Sequence, residues 1–89
     1  MGLRQTFRFR SKNPSEVRDF LRGFASEVLI DDRGDFFVIR PRSAPAFTFD
    51  FELIEGGLRS DRTGEYFWFL GYFLETLTGR FGKVEIEGT

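Results

Sequence analysis

The strongest candidates for acid–base chemistry in this sequence are carboxylates, because it contains no histidine, the commonest general base, and no cysteine. Asp50 and Glu52 are two positions apart in an alternating stretch, so they lie on the same face of a predicted strand. Two carboxylates can serve as general acid and general base when their surroundings separate their pKa values. The sequence does not mark either residue as buried. A carboxylate-only enzyme is therefore the third hypothesis, and we predict no catalytic residue.

Oxygen ligands for a hard cation are clustered in the segment "IDDRGDF", which contains Asp31, Asp32 and Asp35. Their spacing differs from that of a calcium-binding loop, and Gly34 between them is typical of a turn. The absence of cysteine excludes a disulfide framework and a thiolate zinc site. We therefore interpret these residues as turn carboxylates and predict neither a metal nor a cofactor.

Basic residues near the start of the chain could bind phosphate groups. The candidate nucleic-acid-binding residues are Arg4, Arg8, Arg10, Lys12, Arg40 and Arg42. The formal net charge of −1 argues against a generally basic nucleic-acid binder. Neighbouring strands carry acidic residues, so we expect Arg8 and Arg10 to form cross-strand ion pairs. A nucleic-acid-binding sheet that uses the first strand remains the alternative hypothesis.

The segment "GEYFWFLGYFLETL" carries more aromatic rings than one buried helix face requires. A step of about 100° per residue places Trp68, Tyr72 and Glu75 opposite the face that docks on the sheet. The docking face then contains Tyr66, Phe69, Leu70, Phe73, Leu74 and Leu77, with Phe67 at its edge.

This helix has two interpretations: it is rotated or buried on several sides, or Trp68 and Tyr72 stack as an exposed anchor pair for a partner. In the second, Gly71 on the flank lets another backbone approach. The polar rim of the surface would be Arg62, Glu65 and Glu75. A homodimer is the most economical partner.

Alternation and capping signals predict the element order β-α-β-β-β-α-β. The predicted strands are 3–10, 28–31, 36–40, 47–53 and 83–87, and the predicted helices are 14–26 and 63–78, the second closed by Gly79. Gly56 and Gly57 end the Phe-rich strand, and residues 58–63 are a predicted polar loop.

Because each clear strand is apolar on one side only, we predict an α+β fold. It is a single, mostly antiparallel sheet of about five strands with both helices on one face. The order resembles a ferredoxin-like plait with one extra strand, a resemblance of architecture that implies no function. The predicted core contains Phe7, Phe9, Phe20, Phe24, Phe49, Phe51, Phe69, Phe73 and Ile86.

The 89 residues are enough for one domain, and 13 of them are Phe. No segment is long enough for a transmembrane helix, so we expect no membrane partner and a cytoplasmic location. The leading hypothesis is a small protein-binding or self-associating module, such as an accessory subunit, an inhibitor or an immunity-type protein.

Overall fold

The computed structural model describes residues 3–43 and 46–88, and these form six strands and two α-helices. In chain order the elements are β1 (Leu3–Arg8), α1 (Pro14–Arg22), β2 (Val28–Asp32), β3 (Phe36–Pro41), β4 (Phe47–Ile54), β5 (Gly57–Gly64), α2 (Phe67–Phe81) and β6 (Glu85–Gly88). A short 3₁₀ segment, Gly23–Ser26, extends α1. The predicted α+β class is confirmed.

All strands belong to one sheet in the order β2-β3-β4-β5-β1-β6, and every neighbouring pair is antiparallel. The prediction of about five strands is wrong because residues 58–63 form most of β5 rather than a loop. Gly56, at a φ of 82°, turns the chain tightly between β4 and β5. A left-handed backbone of this kind favours glycine because a Cβ atom would be strained there.

The strand order differs from that of a ferredoxin-like plait. The unit β5-α2-β6 is a split β-α-β unit, with β1 inserted between its two strands. The unit β1-α1-β2 instead spans three intervening strands, β3, β4 and β5. The resemblance therefore holds for the class of architecture and not for the plait itself.

The start of α1 follows from its capping residues. The side chain of Asn13 accepts a hydrogen bond from the backbone N–H of Glu16 at 3.0 Å, and Pro14 occupies the first turn. Glu16 in turn accepts from the backbone N–H of Lys12 at 2.8 Å. These contacts satisfy donors that a helix start leaves free, so the predicted start of this helix is confirmed.

The second helix begins later and ends later than predicted. It runs from Phe67 to Phe81, because residues 63 and 64 still belong to β5. Gly64 has a φ of 83°, and a Cβ atom there would lie 2.6 Å from the carbonyl oxygen of Ala46. Gly79 lies inside the helix, and Gly82 at a φ of 80° follows its last residue.

Both helices pack on the same face of the sheet through phenylalanine rings. Phe73 of α2 is the centre of this core, with its ring centroid 4.7 Å from that of Phe51 and 5.4 Å from that of Phe7. On α1, Phe20 contacts Phe73 at 6.0 Å, and Phe24 contacts rings of α2 as well. The fully buried side chains also include Phe37, Ile39, Phe49, Leu58, Phe69 and Leu77.

The predicted core is confirmed except for Ile86, which is 49% exposed. Ile86 lies opposite Phe7 in the β1–β6 ladder, so it occupies the helix side of the sheet as expected. The edge strand β6 nevertheless extends beyond the cover of the helices. The alternation therefore predicted the face correctly, and the depth of burial incorrectly.

Candidate functional site

The exposed side of α2 carries three large aromatic residues. The exposed fractions are 73% for Phe67, 45% for Trp68 and 42% for Tyr72. The opposite side buries Phe69, Phe73 and Leu77 against the sheet. Together with Gly71 and Glu75, the three exposed aromatic residues form a surface that we call the α2 outer face.

Trp68 and Tyr72 do not stack on one another, so that prediction is wrong. The Trp68 ring meets the buried ring of Phe47 edge-on at 5.6 Å, and the Tyr72 ring meets Phe24 at 5.4 Å. Each ring is thus anchored on one edge by the core while the rest of it faces outward. This arrangement fixes the ring positions before any partner arrives, which lowers the entropy that binding would cost.

Phe67 was predicted at the edge of the docking face, and it is instead the most exposed aromatic residue described. Phe67 is the first residue of α2, so no preceding helical turn lies beneath its side chain. Its ring lies 4.8 Å from that of Tyr66, which is partly buried. Phe67 therefore widens the α2 outer face toward the start of the helix.

The centre of the α2 outer face is nearly free of charge and bulk. Gly71 is exposed, and a Cβ atom added there would meet no atom within 4 Å. Between Phe67 and Gly79 the only charged residue is Glu75. The hydroxyl of Thr76 donates to the carbonyl oxygen of Tyr72 at 2.7 Å, so it also offers little to solvent.

Arg62 was predicted on the rim of this surface and is instead buried, with 4% of its area exposed. It lies on the helix side of β5, where its guanidinium carbon is 5.0 Å from the Tyr66 ring centroid and 5.5 Å from that of Phe49. Its Nη2 atom donates to the side-chain oxygen of Gln5. Nε and Nη1 find no hydrogen-bond partner among the described residues. The other two predicted rim residues, Glu65 and Glu75, are exposed.

The predicted nucleic-acid residues do not form one continuous basic surface. Arg4 binds both carboxylate oxygens of Asp61 at 3.0 Å, and Arg8 binds Glu87 at 2.7 Å. Arg42 donates to the backbone carbonyl oxygen of Ala25 at 2.6 Å. The remaining three, Arg10, Lys12 and Arg40, are exposed and form no ion pair within residues 3–43 and 46–88.

The expected cross-strand pairing is confirmed for Arg8 and wrong for Arg10. Arg8 belongs to β1 and lies on the outer face of the sheet next to β6, which supplies Glu87. Arg10 follows the end of β1 and has no strand beside it. The side chain of Arg10 therefore remains available to other ligands.

Asp50 and Glu52 share the outer face of the sheet, as predicted. Arg59 of β5 holds Glu52 at 3.0 Å, whereas Asp50 lies directly opposite Asp61. Burial raises the pKa of Asp50, and the nearby negative charge of Asp61 raises it further. One oxygen of Asp50, Oδ1, is buried without a partner among the described residues. A carboxylate-only enzyme stays the third hypothesis.

The three aspartates considered as cation ligands each bind an arginine. Asp31 pairs with Arg33 at 2.9 Å, and Asp32 pairs with Arg22 at 2.6 Å. Asp35 pairs with Arg18 at 2.5 Å. In the described part of the chain, no group of three or more acidic, histidine or cysteine residues could hold a metal ion.

The comparisons with known proteins add no family to this geometry. No protein-family model and no curated protein matches the chain. None of the described helices is long and apolar enough to cross a membrane. The cytoplasmic location stays a prediction, and the functional argument depends on the surface described above.

Proposed function

We propose that this chain is a small protein-binding module and that the α2 outer face is its contact surface. The observation that carries this proposal is the exposure of Phe67, Trp68 and Tyr72 on one helix that has a single charge along that side. Soluble monomers usually avoid large contiguous apolar patches unless they are used. Trp and Tyr are also enriched among the residues that dominate binding energy.

The partner that fits this surface best is a second copy of the chain. In an antiparallel pair of α2 helices centred on Gly71, residue 75 of one copy lies level with residue 67 of the other. Each Glu75 would therefore face Phe67 of the other copy. The two carboxylates would lie about 12 Å apart along the axis, at 1.5 Å per residue. The outer face also lacks the opposite charges that would select a strongly charged partner. A self-complementary apolar surface with a glycine at its centre suits a two-fold dimer.

Sedimentation over a range of protein concentrations tests this proposal, together with the fluorescence of Trp68, the only tryptophan. We expect a dimer whose formation shifts Trp68 emission to shorter wavelength. Trp68→Ala should weaken association by about 2 kcal/mol or more, which is about thirtyfold in the dissociation constant.

Phe36→Ala is the matched control, because Phe36 is an exposed aromatic residue on the outer face of the sheet. It should leave association unchanged, and circular dichroism should show that both variants are folded. A chain that stays monomeric at high concentration would exclude the second copy as the partner. Equal weakening by both variants would place the contact elsewhere.

A further inference from the structure

We infer that the chain has a further binding site, a phosphate-binding groove beside the last residue of α2, Phe81. The α2 outer face begins at the other end of the helix, at Phe67. The groove lies where the end of β1, the β4–β5 turn and the α2–β6 connection meet, and its cavity has a volume of about 430 Å³. We call it the Arg10 groove. Its lining residues are Arg8, Phe9, Arg10, Gly56, Phe81, Lys83 and Glu85.

The charges of the Arg10 groove favour an anion. Three of its lining side chains are basic and one is acidic, although the chain as a whole has a net charge of −1. Arg10 makes no ion pair with any described residue, and Lys83 is held only loosely by Glu85, at 3.7 Å. These two cations come from segments more than 70 positions apart, which the fold brings to one cavity.

Arg8 contributes a fixed donor to the same groove. Its Nε donates to Glu87 at 2.7 Å, which fixes the guanidinium relative to β6. The Nη1 atom reaches over Gly56, since a Cβ atom built there would lie 3.9 Å from it. The planar guanidinium presents several N–H groups in a fixed geometry that matches phosphate oxygens.

Two aromatic rings form part of the wall of the groove. The rings of Phe9 and Phe81 lie 4.7 Å apart, and Phe9 is buried. An apolar wall lowers the local dielectric constant and strengthens the attraction between the cations and a bound anion. A phosphate group is the anion that suits two arginines and a lysine around one cavity. It occurs both in small phosphorylated molecules and in nucleic-acid backbones.

An NMR titration of the whole chain with inorganic phosphate at low ionic strength tests this site. We expect saturable shifts at the amides of the groove. Arg10→Gln and Lys83→Gln should each weaken binding about tenfold, the effect of losing one charge-assisted contact. Glu85→Gln should strengthen binding, because Lys83 loses its competing carboxylate.

Arg40→Gln is the matched control, since Arg40 is exposed, forms no ion pair with described residues and lies on β3, which β4 and β5 separate from β1. It should leave phosphate binding unchanged. Shifts that spread over the surface, or that respond equally to Arg10→Gln and Arg40→Gln, would overturn the proposal. Affinity that Glu85→Gln lowers would overturn it as well.

Two further probes distinguish the sources of phosphate. Similar affinities for inorganic phosphate and a mononucleotide would show that the groove accepts a single phosphate group. A single-stranded RNA oligonucleotide that binds at least tenfold more tightly, with steep salt dependence, would show that it accepts a backbone. In either case the Arg10→Gln and Lys83→Gln variants must weaken the interaction, and failure of both to do so overturns the inference.

Discussion

The least expected residue in this structure is Arg62, a buried guanidinium between two aromatic rings without an acidic partner among the described residues. Contact with ring faces attracts a cation, but it does not replace the hydrogen bonds that Nε and Nη1 would make in water. The buried charge should therefore lower the stability of the fold.

We expect Arg62→Met to raise the free energy of unfolding by about 1 kcal/mol, because it keeps the length of the side chain and removes the charge. Arg62→Ala should lower that free energy, because it leaves a cavity beneath Tyr66. Urea denaturation of both variants measures the two changes. Equal destabilisation by both would show that the guanidinium itself is required.

Two aspartates should make stability depend on pH in opposite directions. The pKa of Asp50 is raised from 3.8 by burial and by Asp61, so the folded chain binds its proton more tightly than the unfolded chain does. Its contribution to stability is complete below the unfolded pKa and is lost as the pH rises through the higher pKa of the folded chain. Asp50→Asn should therefore increase stability at neutral pH and flatten this dependence.

Asp32 is the opposite case. Hydrogen bonds from Arg22 and from the backbone N–H of Gly34 lower the pKa of Asp32 below 3.8. Its contribution is present above the unfolded pKa and is lost as the pH falls through the folded pKa. Asp32→Asn should reduce stability at neutral pH and flatten the acid side of the profile. Denaturation between acid and neutral pH measures both variants, and parallel profiles would contradict the two assignments.

At the scale of the element, α2 contains two exposed glycines that separate helix stability from association. An added Cβ meets no atom within 4 Å at Gly71 or at Gly79. Gly71→Ala and Gly79→Ala should each stabilise the chain by about 0.5–1 kcal/mol, because alanine favours the helix. Gly71→Ala should in addition weaken the proposed dimer, since it blocks close approach of the backbones.

Thermal unfolding and sedimentation of these two variants measure both effects. Gly79→Ala is the control for helix propensity, because it lies two turns from the centre of the proposed contact. A Gly71→Ala variant that is more stable and dimerises normally would remove Gly71 from the interface.

The helices and most strands could be predicted from the sequence, because their apolar residues repeat about every 3.6 positions in the helices and every second position in the strands. The strand β5 could not, because two of its inward positions are occupied by Ser60 and Arg62, which are buried although polar. The apolar surroundings of Ser60 and Arg62 come from the neighbouring strand β4, so the sequence of β5 alone does not predict their burial. Ile86 shows the reverse case, in which a regular pattern does not reveal how far the helices reach.

The candidate site was predictable to a similar extent. The exposure of Trp68 and Tyr72 followed from helical geometry, whereas that of Phe67 depended on where the helix begins. The Arg10 groove left no signal in the sequence, since Arg10 and Lys83 meet only through the sheet order.

At the scale of the molecule, the two proposed surfaces lie toward opposite ends of α2. The aromatic surface begins at Phe67, and the phosphate groove contacts Phe81, the last residue of the helix. About 21 Å of helix separates these residues, at 1.5 Å per residue. Variants of one surface should therefore act independently of the other.

The sheet order also determines when each strand can form during folding. The strands β2 to β5 are neighbours in both sequence and space, so each can pair as soon as the next is present. The first strand has to wait, because Leu3 pairs with Arg62, 59 positions later. Closing so long a loop is slow relative to forming hairpins.

We therefore expect β3, β4 and β5 to form the folding nucleus, with β1 joining late and β6 last. Pulse-labelled hydrogen exchange during refolding should protect the amides of Phe49 and Phe51 before that of Phe7. Simultaneous protection would contradict this order. During synthesis on the ribosome, Phe7 of β1 would remain without its strand partner until β5 has emerged, an interval in which a chaperone could bind this segment.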